Sequence, residues 1–467
     1  MQIPIISGVF ADGSADFRTI YPRNLIPLPK EQGISKGYLR PGEGLVEFAT
    51  GAPGIDRGGI AWNGQCYRVM GSKLCRISEA GTITELGDVG AGGLVTMDYS
   101  FDRLGIASNG NLYYWNGATL AQVTDVDLGV CLDIQWADGY WISTDGTSLV
   151  VTELNDPFAV NPLKYGSSEA DPDPVKALLK LRNEIYAVNR YTTEVFDNIG
   201  GSGFPFQRIP GALVEVGAVG THMACLYGGA VVVVGSARNS PPGVHLVGGG
   251  EALPISTAEI DQLLESYTEA ELSACLLETR TFRKRQQLYL HLPDRTMVYD
   301  LAVSKEVGQQ VWVELGSSVL DHVQYRAQNW VWCYNQWIFG DPQAARLGTP
   351  SDTLGSHYGE LIGWEFSTAM LYNAGMGAII HELELVCLPG RVQFADDPVI
   401  WTSYSVDGET WSQEKPISAG KQGERTKRLR WLQQGPWANY RMQKFRGNSD
   451  AHLSFARLEA QVEPLSV

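Results

Sequence analysis

The sequence predicts an all-β protein: a β-propeller of six to seven blades, seven favoured, over residues 51–373, with an N-terminal arm over 1–50 and a C-terminal β-sandwich over 374–467. Three observations carry this reading. Glycine supplies 52 of 467 residues, about 11% against a usual ~7%, so the chain turns often. Short apolar runs are separated by Asn-Gly and Asp-Gly pairs, the strongest local hairpin signals. A loose unit of about 35–50 residues recurs along the middle of the chain.

The elements follow in order. Pro4, Pro22, Pro27, Pro29 and Pro41 break residues 1–50 into short pieces, so this stretch is an apolar arm packed on the main body. The first repeat holds Gly59-Ile60-Ala61-Trp62, the turn Asn63-Gly64, then Tyr67-Arg68-Val69 and Lys73-Leu74-Cys75. The second runs through Leu104-Gly105-Ile106-Ala107, Asn109-Gly110, Leu112-Tyr113-Tyr114-Trp115 and Asn116-Gly117. The third has Ile134-Gln135-Trp136, Asp138-Gly139, Tyr140-Trp141-Ile142 and Asp145-Gly146. Later repeats start near Val175, Met223, Cys275 and His322. One small sheet cannot bury both faces alone, whereas a ring of sheets buries each face against a neighbour and leaves only short edges. A set of ordinary β-sandwiches would also supply short strands.

One helical interruption is expected near 256–275. Ser256-Thr257-Ala258-Glu259 reads as a capping box, with Ile260, Leu263, Leu264 and Tyr267 at helical spacing, and Thr268-Glu269-Ala270-Glu271 as a second box. Beyond 374 the texture changes. Leu429 and Trp431 alternate with Arg428 and Arg430, and Ala456, Leu458, Ala460 and Val462 with Arg457, Glu459 and Gln461, the pattern of half-buried strands.

Composition excludes several classes. The net charge of −16 repels nucleic acid through its long-range field, so any contact with DNA is local or geometric. Cys66, Cys75, Cys131, Cys225, Cys275, Cys333 and Cys387 form no CxxC pair and are expected as buried free thiols, suited to assembly in a reducing cytoplasm. The apolar run Ala230-Val231-Val232-Val233-Val234 is far too short to span a bilayer and reads as a buried strand, and Met1-Gln2-Ile3-Pro4 lacks the marks of a signal peptide. No membrane insertion is expected.

The motifs that carry chemistry point away from catalysis. His222, His245, His291, His322, His357, His381 and His452 form neither HxH nor HExxH, and no metal or cofactor is expected. Gly90-Ala91-Gly92-Gly93 and Gly200-Gly201-Ser202-Gly203 lack the strand, helix and lysine of a phosphate cradle and read as loops. Ser405-Val406-Asp407-Gly408-Glu409-Thr410-Trp411 resembles the Asp box of sialidase-like propellers with one residue fewer, and reads as an Asp-Gly hairpin pinned by a tryptophan. A glycan-binding or glycan-cleaving propeller is the rival reading on this motif, and a cellular scaffold propeller a third. The remaining feature is a basic run, Arg425, Lys427, Arg428, Arg430, Arg441, Lys444 and Arg446, in an acidic chain. It is either a solvated strand face or a docking surface for an acidic partner, with Arg425, Lys427, Arg428 and Arg430 as the docking candidates.

Three stretches are similar to a known family. They are Tyr21-Pro22-Arg23-Asn24-Leu25 with Pro29-Lys30-Glu31 and Gly37-Tyr38-Leu39-Arg40-Pro41-Gly42; Tyr67-Arg68-Val69-Met70-Gly71-Ser72-Lys73-Leu74; and the helical segment from Ser256 to Glu271 with His291-Leu292-Pro293 and Val298-Tyr299-Asp300. In order and spacing they resemble the packaged-DNA stabilisation proteins, or tail accessory hubs, of short-tailed bacteriophages. The resemblance implies a non-enzymatic virion protein of the phage tail, assembled in the host cytoplasm. It implies a homo-hexameric ring below the portal and adaptor proteins that closes the DNA channel and carries tailspikes or fibres and a tail needle. Genomic DNA enters only as channel contents.

A far-UV circular dichroism spectrum of the purified protein is expected to be dominated by strand, with helix confined chiefly to about 256–275. A helix-dominated spectrum would contradict the fold class.

Overall fold

The computed structural model describes residues 1–5, 9–11, 18–29, 34–35, 37–154, 156–390, 392, 396–448, 450–451 and 453–465. Lys30, Glu31 and His452, named above, lie outside the described residues. The chain gathers into two compact units.

The larger unit, Glu47–Pro293 with Arg326–Thr349, is the propeller. Each blade begins with its innermost strand and steps outward through antiparallel neighbours. The seven inner strands are Asp56–Trp62, Thr96–Tyr99, Asp133–Ala137, Val175–Leu181, Ala224–Tyr227, Leu276–Phe282 and Gln328–Cys333. Each packs against the next, and Gln328–Cys333 returns to Asp56–Trp62, so the ring closes with seven blades. The repeat starts expected at Val175, Met223 and Cys275 fall within one residue of inner strands. The sequence signals explain the turns. Asn63-Gly64, Asn109-Gly110 and Asp138-Gly139 hold both residues at positive φ, the backbone of a type I′ hairpin. Asn116 and Asp145 instead fold their side chains back onto backbone amides two and three residues on.

Burial between blades supplies the cohesion. Val231, Val232, Val233 and Val234 are fully buried in the Ala230–Gly235 strand, as the apolar run predicts. Each such side chain contributes roughly 1.5–3 kcal/mol. Polar links cross the blade joints as well. Asp98 accepts the amide of Trp136 at 2.7 Å, and Asp133 accepts that of Leu178 at 2.7 Å. Glu278 accepts the amides of Asn329 and Trp330 at 2.9 and 2.8 Å. At the closing joint, fully buried Arg68 forks onto both oxygens of Asp56, each at 2.7 Å. The same guanidinium donates to the Asn329 carbonyl, while the Asn329 side chain donates to Asp56.

The helical interruption forms two helices, α1 (Ala258–Glu265) and α2 (Glu269–Ser273). Ile260 and Leu264 bury the apolar face of α1. The second capping box forms as expected, with Thr268 and Glu271 bonded reciprocally. The first does not: Thr257 is the N-cap without a side-chain cap bond, because the Ser256 hydroxyl accepts the amide of Val244 at 3.1 Å.

The smaller unit combines Met1–Val46, Asp294–Tyr325 and Pro350–Val467. The compact units thus differ from the linear spans 1–50, 51–373 and 374–467. Two sheets face each other here. One orders Leu25–Pro29, Gly37–Pro41, Phe455–Pro464, Ala378–Cys387 and Leu429–Trp437; the other orders Trp364–Ser367, Tyr440–Gly447, Val399–Ser405 and Lys415–Ser418. Leu25, Leu39, Phe366, Leu383, Trp431, Phe445 and Phe455 share the core between them. The N-terminal strands are therefore part of the sandwich sheet, because Leu25 and Leu39 bury their side chains in its core. Arg23 and Asn24 fix this entry. The Arg23 guanidinium donates to the carbonyls of Val319, Leu320 and Asp321. Asn24 sits at positive φ, donates to the Gly363 carbonyl at 2.7 Å and accepts the Gly316 amide at 2.8 Å. A third helix, α3 (Leu301–Val307), lies outside the expected helical region; Asp300 caps its start and left-handed Gly308 ends it.

Two outcomes follow. Arg68→Ala leaves Asp56 buried without its cation, so the propeller is expected to lose about 3–5 kcal/mol in chemical denaturation. Burial pushes the Asp133 carboxyl up to about 7, against bonds from Leu178, Thr96 and Ile134 that lower it. A raised carboxyl binds its proton more tightly in the folded chain. This stability is therefore present below the ordinary carboxylate range and is lost as pH rises towards 7. The difference in unfolding midpoint between Asp133→Asn and the unaltered chain is expected to change across that window; a constant difference would contradict the assignment.

Candidate docking surface

The four docking candidates lie at one end of the Leu429–Trp437 strand and in the turn before it. Period-2 alternation buries Leu429 and Trp431 and turns Arg428 and Arg430 outward, as the sequence predicts. The adjoining strand, Ala378–Cys387, answers with carboxylates. Arg428 donates through Nε to Glu384 Oε1 at 2.6 Å and makes a second contact with Oε2. Arg430 reaches Glu382 at 3.6 Å. The Arg428 guanidinium holds the Glu384 carboxyl below its ordinary value, and Glu384 raises that of Arg428. Lys427 donates to Ser418 at 2.7 Å and meets Glu424 at 3.3 Å, while Arg425 is exposed in the turn. The surface is a lattice of alternating sign, open to solvent at both arginines.

The rest of the basic run does not join it. Arg441 is fully buried; it donates to the Gln434 carbonyl and to Gln443, and its guanidinium lies 3.9 Å from the Tyr404 ring centroid. Burial pulls it down to about 10, with no carboxylate among its bonded partners. Arg446 forks onto Glu414, and Lys444 lies over Trp411.

The other motifs resolve into structure. Around Asp407, the Ser405 hydroxyl accepts the Gly408 amide at 2.8 Å and Asp407 Oδ1 accepts the Thr410 amide at 2.8 Å. The Thr410 hydroxyl, the Thr410 amide and the Ser405 hydroxyl hold the Asp407 carboxyl far below its usual range, and the bonds together make the segment a turn. The Gly90–Gly93 loop wraps a buried cation: Arg57 donates to the carbonyls of Gly90 and Gly93, each at 2.6 Å, and to Gly71 at 2.8 Å. The anion-cradle alternative fails here because the loop turns carbonyls, not amides, towards the charge. All seven cysteines are free; burial pushes Cys66 up to about 11 and Cys75 and Cys387 up to about 12, which suppresses the nucleophilic thiolate. Among the described residues, no group of three or more His, Cys, Asp and Glu is placed to hold a metal, and no helix is long and apolar enough to cross a membrane.

Sequence reasoning missed the carboxylates at the blade joints. Asp98, Asp133 and Glu278 are each the one acid of an inner strand, and only the ring brings each to a neighbour's amide. A lone acid within a short strand was the available signal.

Comparison with known proteins matches this architecture. A family model described as bacteriophage P22 Gp10, beta-propeller, covers residues 1–354, and one described as bacteriophage P22 Gp10, beta-sandwich, covers 363–463. The tail hub protein gp10 of Salmonella phage P22 is 29% identical over 456 residues, 93% of each chain. Among solved structures, the Neurospora crassa Pan2 WD40 domain aligns with a TM-score of 0.43 at 9% identity, over 66% of this chain and 95% of that one. The N-terminal domain of Nup159 gives 0.41 at 8% identity, over 70% and 98%. Neither solved structure bears on function. Matched by the first model over 354 of its 467 residues, with the sandwich model following in order, the chain belongs to the bacteriophage P22 Gp10 family of phage tail hub proteins.

Proposed function

We propose that this chain is a structural subunit of the tail hub of a short-tailed phage. In this reading six copies form a ring below the portal and adaptor proteins. The ring closes the DNA channel after packaging and gives tailspikes or fibres and the tail needle their platform. The observation that carries the reading is the alignment with a tail hub protein over 93% of both chains. The charge of the chain is consistent with it: a surface at −16 does not grip DNA that must later leave quickly. The reading is non-enzymatic. The motifs weighed for catalysis serve as turns, caps and buried links, and burial disfavours the thiolate at Cys66, Cys75 and Cys387.

Docking on an acidic partner is assigned to Arg425, Lys427, Arg428 and Arg430. Arg428 and Arg430 keep about half of their side-chain surface in water, at 58% and 46%. A partner carboxylate can therefore approach without displacing the Glu384 and Glu382 pairs. Such exposed pairs add little to stability because water and salt screen them, so reversing these charges should leave the fold intact.

The test uses filled heads made in cells that lack this chain, with the purified protein added back. Heads without it are expected to leak nuclease-sensitive DNA, and its addition to restore retention and infectivity. Imaged particles should carry six copies at the tail axis. The variant Arg428→Glu with Arg430→Glu should fold normally and restore retention less well at physiological salt. Heads that hold their DNA and mature without the chain would overturn the hub reading. Full activity of the double variant would remove only the docking assignment.

A further inference from the structure

We propose that the basic strand of the sandwich docks on the third propeller blade of a second copy of this chain, so that subunits join head to tail. The proposal rests on the ring of the hub reading and names the acidic partner left open there. Charge is laid unevenly along the chain. Residues 124–174, the third blade and the connections at its two ends, carry ten Asp and Glu against one basic residue, Lys164. Residues 421–446 carry eight Lys and Arg against one acid, Glu424. More than half of the net charge of −16 is thus concentrated on one blade, and the opposite sign is gathered on one stretch of the sandwich. Two copies charged in this way attract through their unlike faces and repel through their like ones.

The acidic region also carries the apolar surface that an interface needs. Two one-turn helices, Val126–Leu128 and Pro162–Lys164, bring Val126 and Leu163 to the surface, where they are 89% and 88% exposed. Their segments are tied together: Asp125 accepts the Val160 amide at 2.9 Å, and the Tyr165 hydroxyl donates to the Asp127 carbonyl. Asp125 and Asp145 accept backbone amides, which fixes the carboxylates without neutralising them. The one cation of the region, Lys164, is taken by Glu153 at 2.6 Å. Exposed apolar side chains within a charged margin are the anatomy of a specific protein contact.

The basic strand has the matching composition. Arg428, Arg430 and Leu432 alternate with buried Leu429 and Trp431, so two cations and an exposed leucine stand in a row on one face. Leu432 offers Val126 and Leu163 an apolar partner, and the arginines offer Asp127 and Glu169 a cationic one. Each guanidinium has five N–H donors, so the pairs with Glu384 and Glu382 leave some for a second carboxylate. The two faces are different surfaces of the same chain. A contact between them is heterologous and passes from copy to copy until a ring closes.

The experiment adds variants back to filled heads that lack this chain and reads the nuclease resistance of the DNA. Asp127→Lys with Glu169→Lys reverses the acidic face, and Arg428→Glu with Arg430→Glu reverses the basic one. Circular dichroism and thermal melting check that each is folded. Either variant alone is expected to need about tenfold or more protein than the unaltered chain to restore retention. An equimolar mixture should restore it fully, because the two variants alternate around the ring and every contact then joins opposite signs. Reversal at the exposed Glu79 and Glu265 should change nothing. Full retention with either variant alone, a mixture no better than its parts, or an equal loss from the Glu79 and Glu265 reversal would overturn the proposal. Should the reversed acidic face not fold, Leu163→Gln replaces it, and retention equal to that of the unaltered chain would count against the contact. If the unaltered chain itself restores nothing, the hub reading falls. Sedimentation at low salt then decides the contact: the mixture should associate where neither variant does, and a monomeric mixture defeats it.

Discussion

Ring closure is the constraint on which the propeller depends. Seven small sheets are each unstable alone, and the first and last are far apart in sequence. The joint between them is made by a buried ion pair: Arg68 and Asp56 are both withdrawn from water and are linked to Asn329 of the last blade through its carbonyl and its side chain. Burying two charges costs several kcal/mol per ion, and the cost is offset only when geometry is good and the remaining donors are satisfied. Here the fork is bidentate, and further donors reach the carbonyls of Asn329 and Ile338. Such a pair adds less to stability than to specificity. A slipped register between first and last blades would strand a charge in the core. At three further joints a single carboxylate does the same service with backbone amides, so register errors there strand an acid.

The stretches that carry the family resemblance turn out to be these structural fasteners. Arg23 and Asn24 tie the first strands of the sandwich to the loop at 316–321 and to Gly363. Arg68 closes the ring, and Thr268 with Glu271 caps α2. Each of these stretches thus serves the fold, by a link between distant segments or by a helix cap. This also explains why a search for chemistry in these motifs yields turns and caps.

Much of the fold was legible because its signals are local. Asn63-Gly64 and Asp138-Gly139 dictate hairpins wherever they occur, and the Val231–Val234 run has one stable fate. Features that depend on distant partners were not legible. The strands at 25–29 and 37–41 read as an arm because their hydrogen-bonding neighbour, Phe455–Pro464, lies over 400 residues away. The capping box at Ser256 failed because Val244 offered its amide to the same hydroxyl. Helix α3 was overlooked although Asp300 and Gly308 bracket it, since its seven residues are too few for a clear apolar period. At the docking surface the alternation of Leu429 and Trp431 was readable. The carboxylates that partner the arginines come from a strand some 45 residues earlier, and no local pattern announces them.

The border of the sandwich sheet has a bearing on strand addition. The strand Leu25–Pro29 stands at the end of its sheet, and two of its five residues are proline. A proline has no amide hydrogen to offer, so this margin is a poor template for another strand. Its first four residues are also buried, so the margin is both sheltered and short of donors, and the sheet stops growing there.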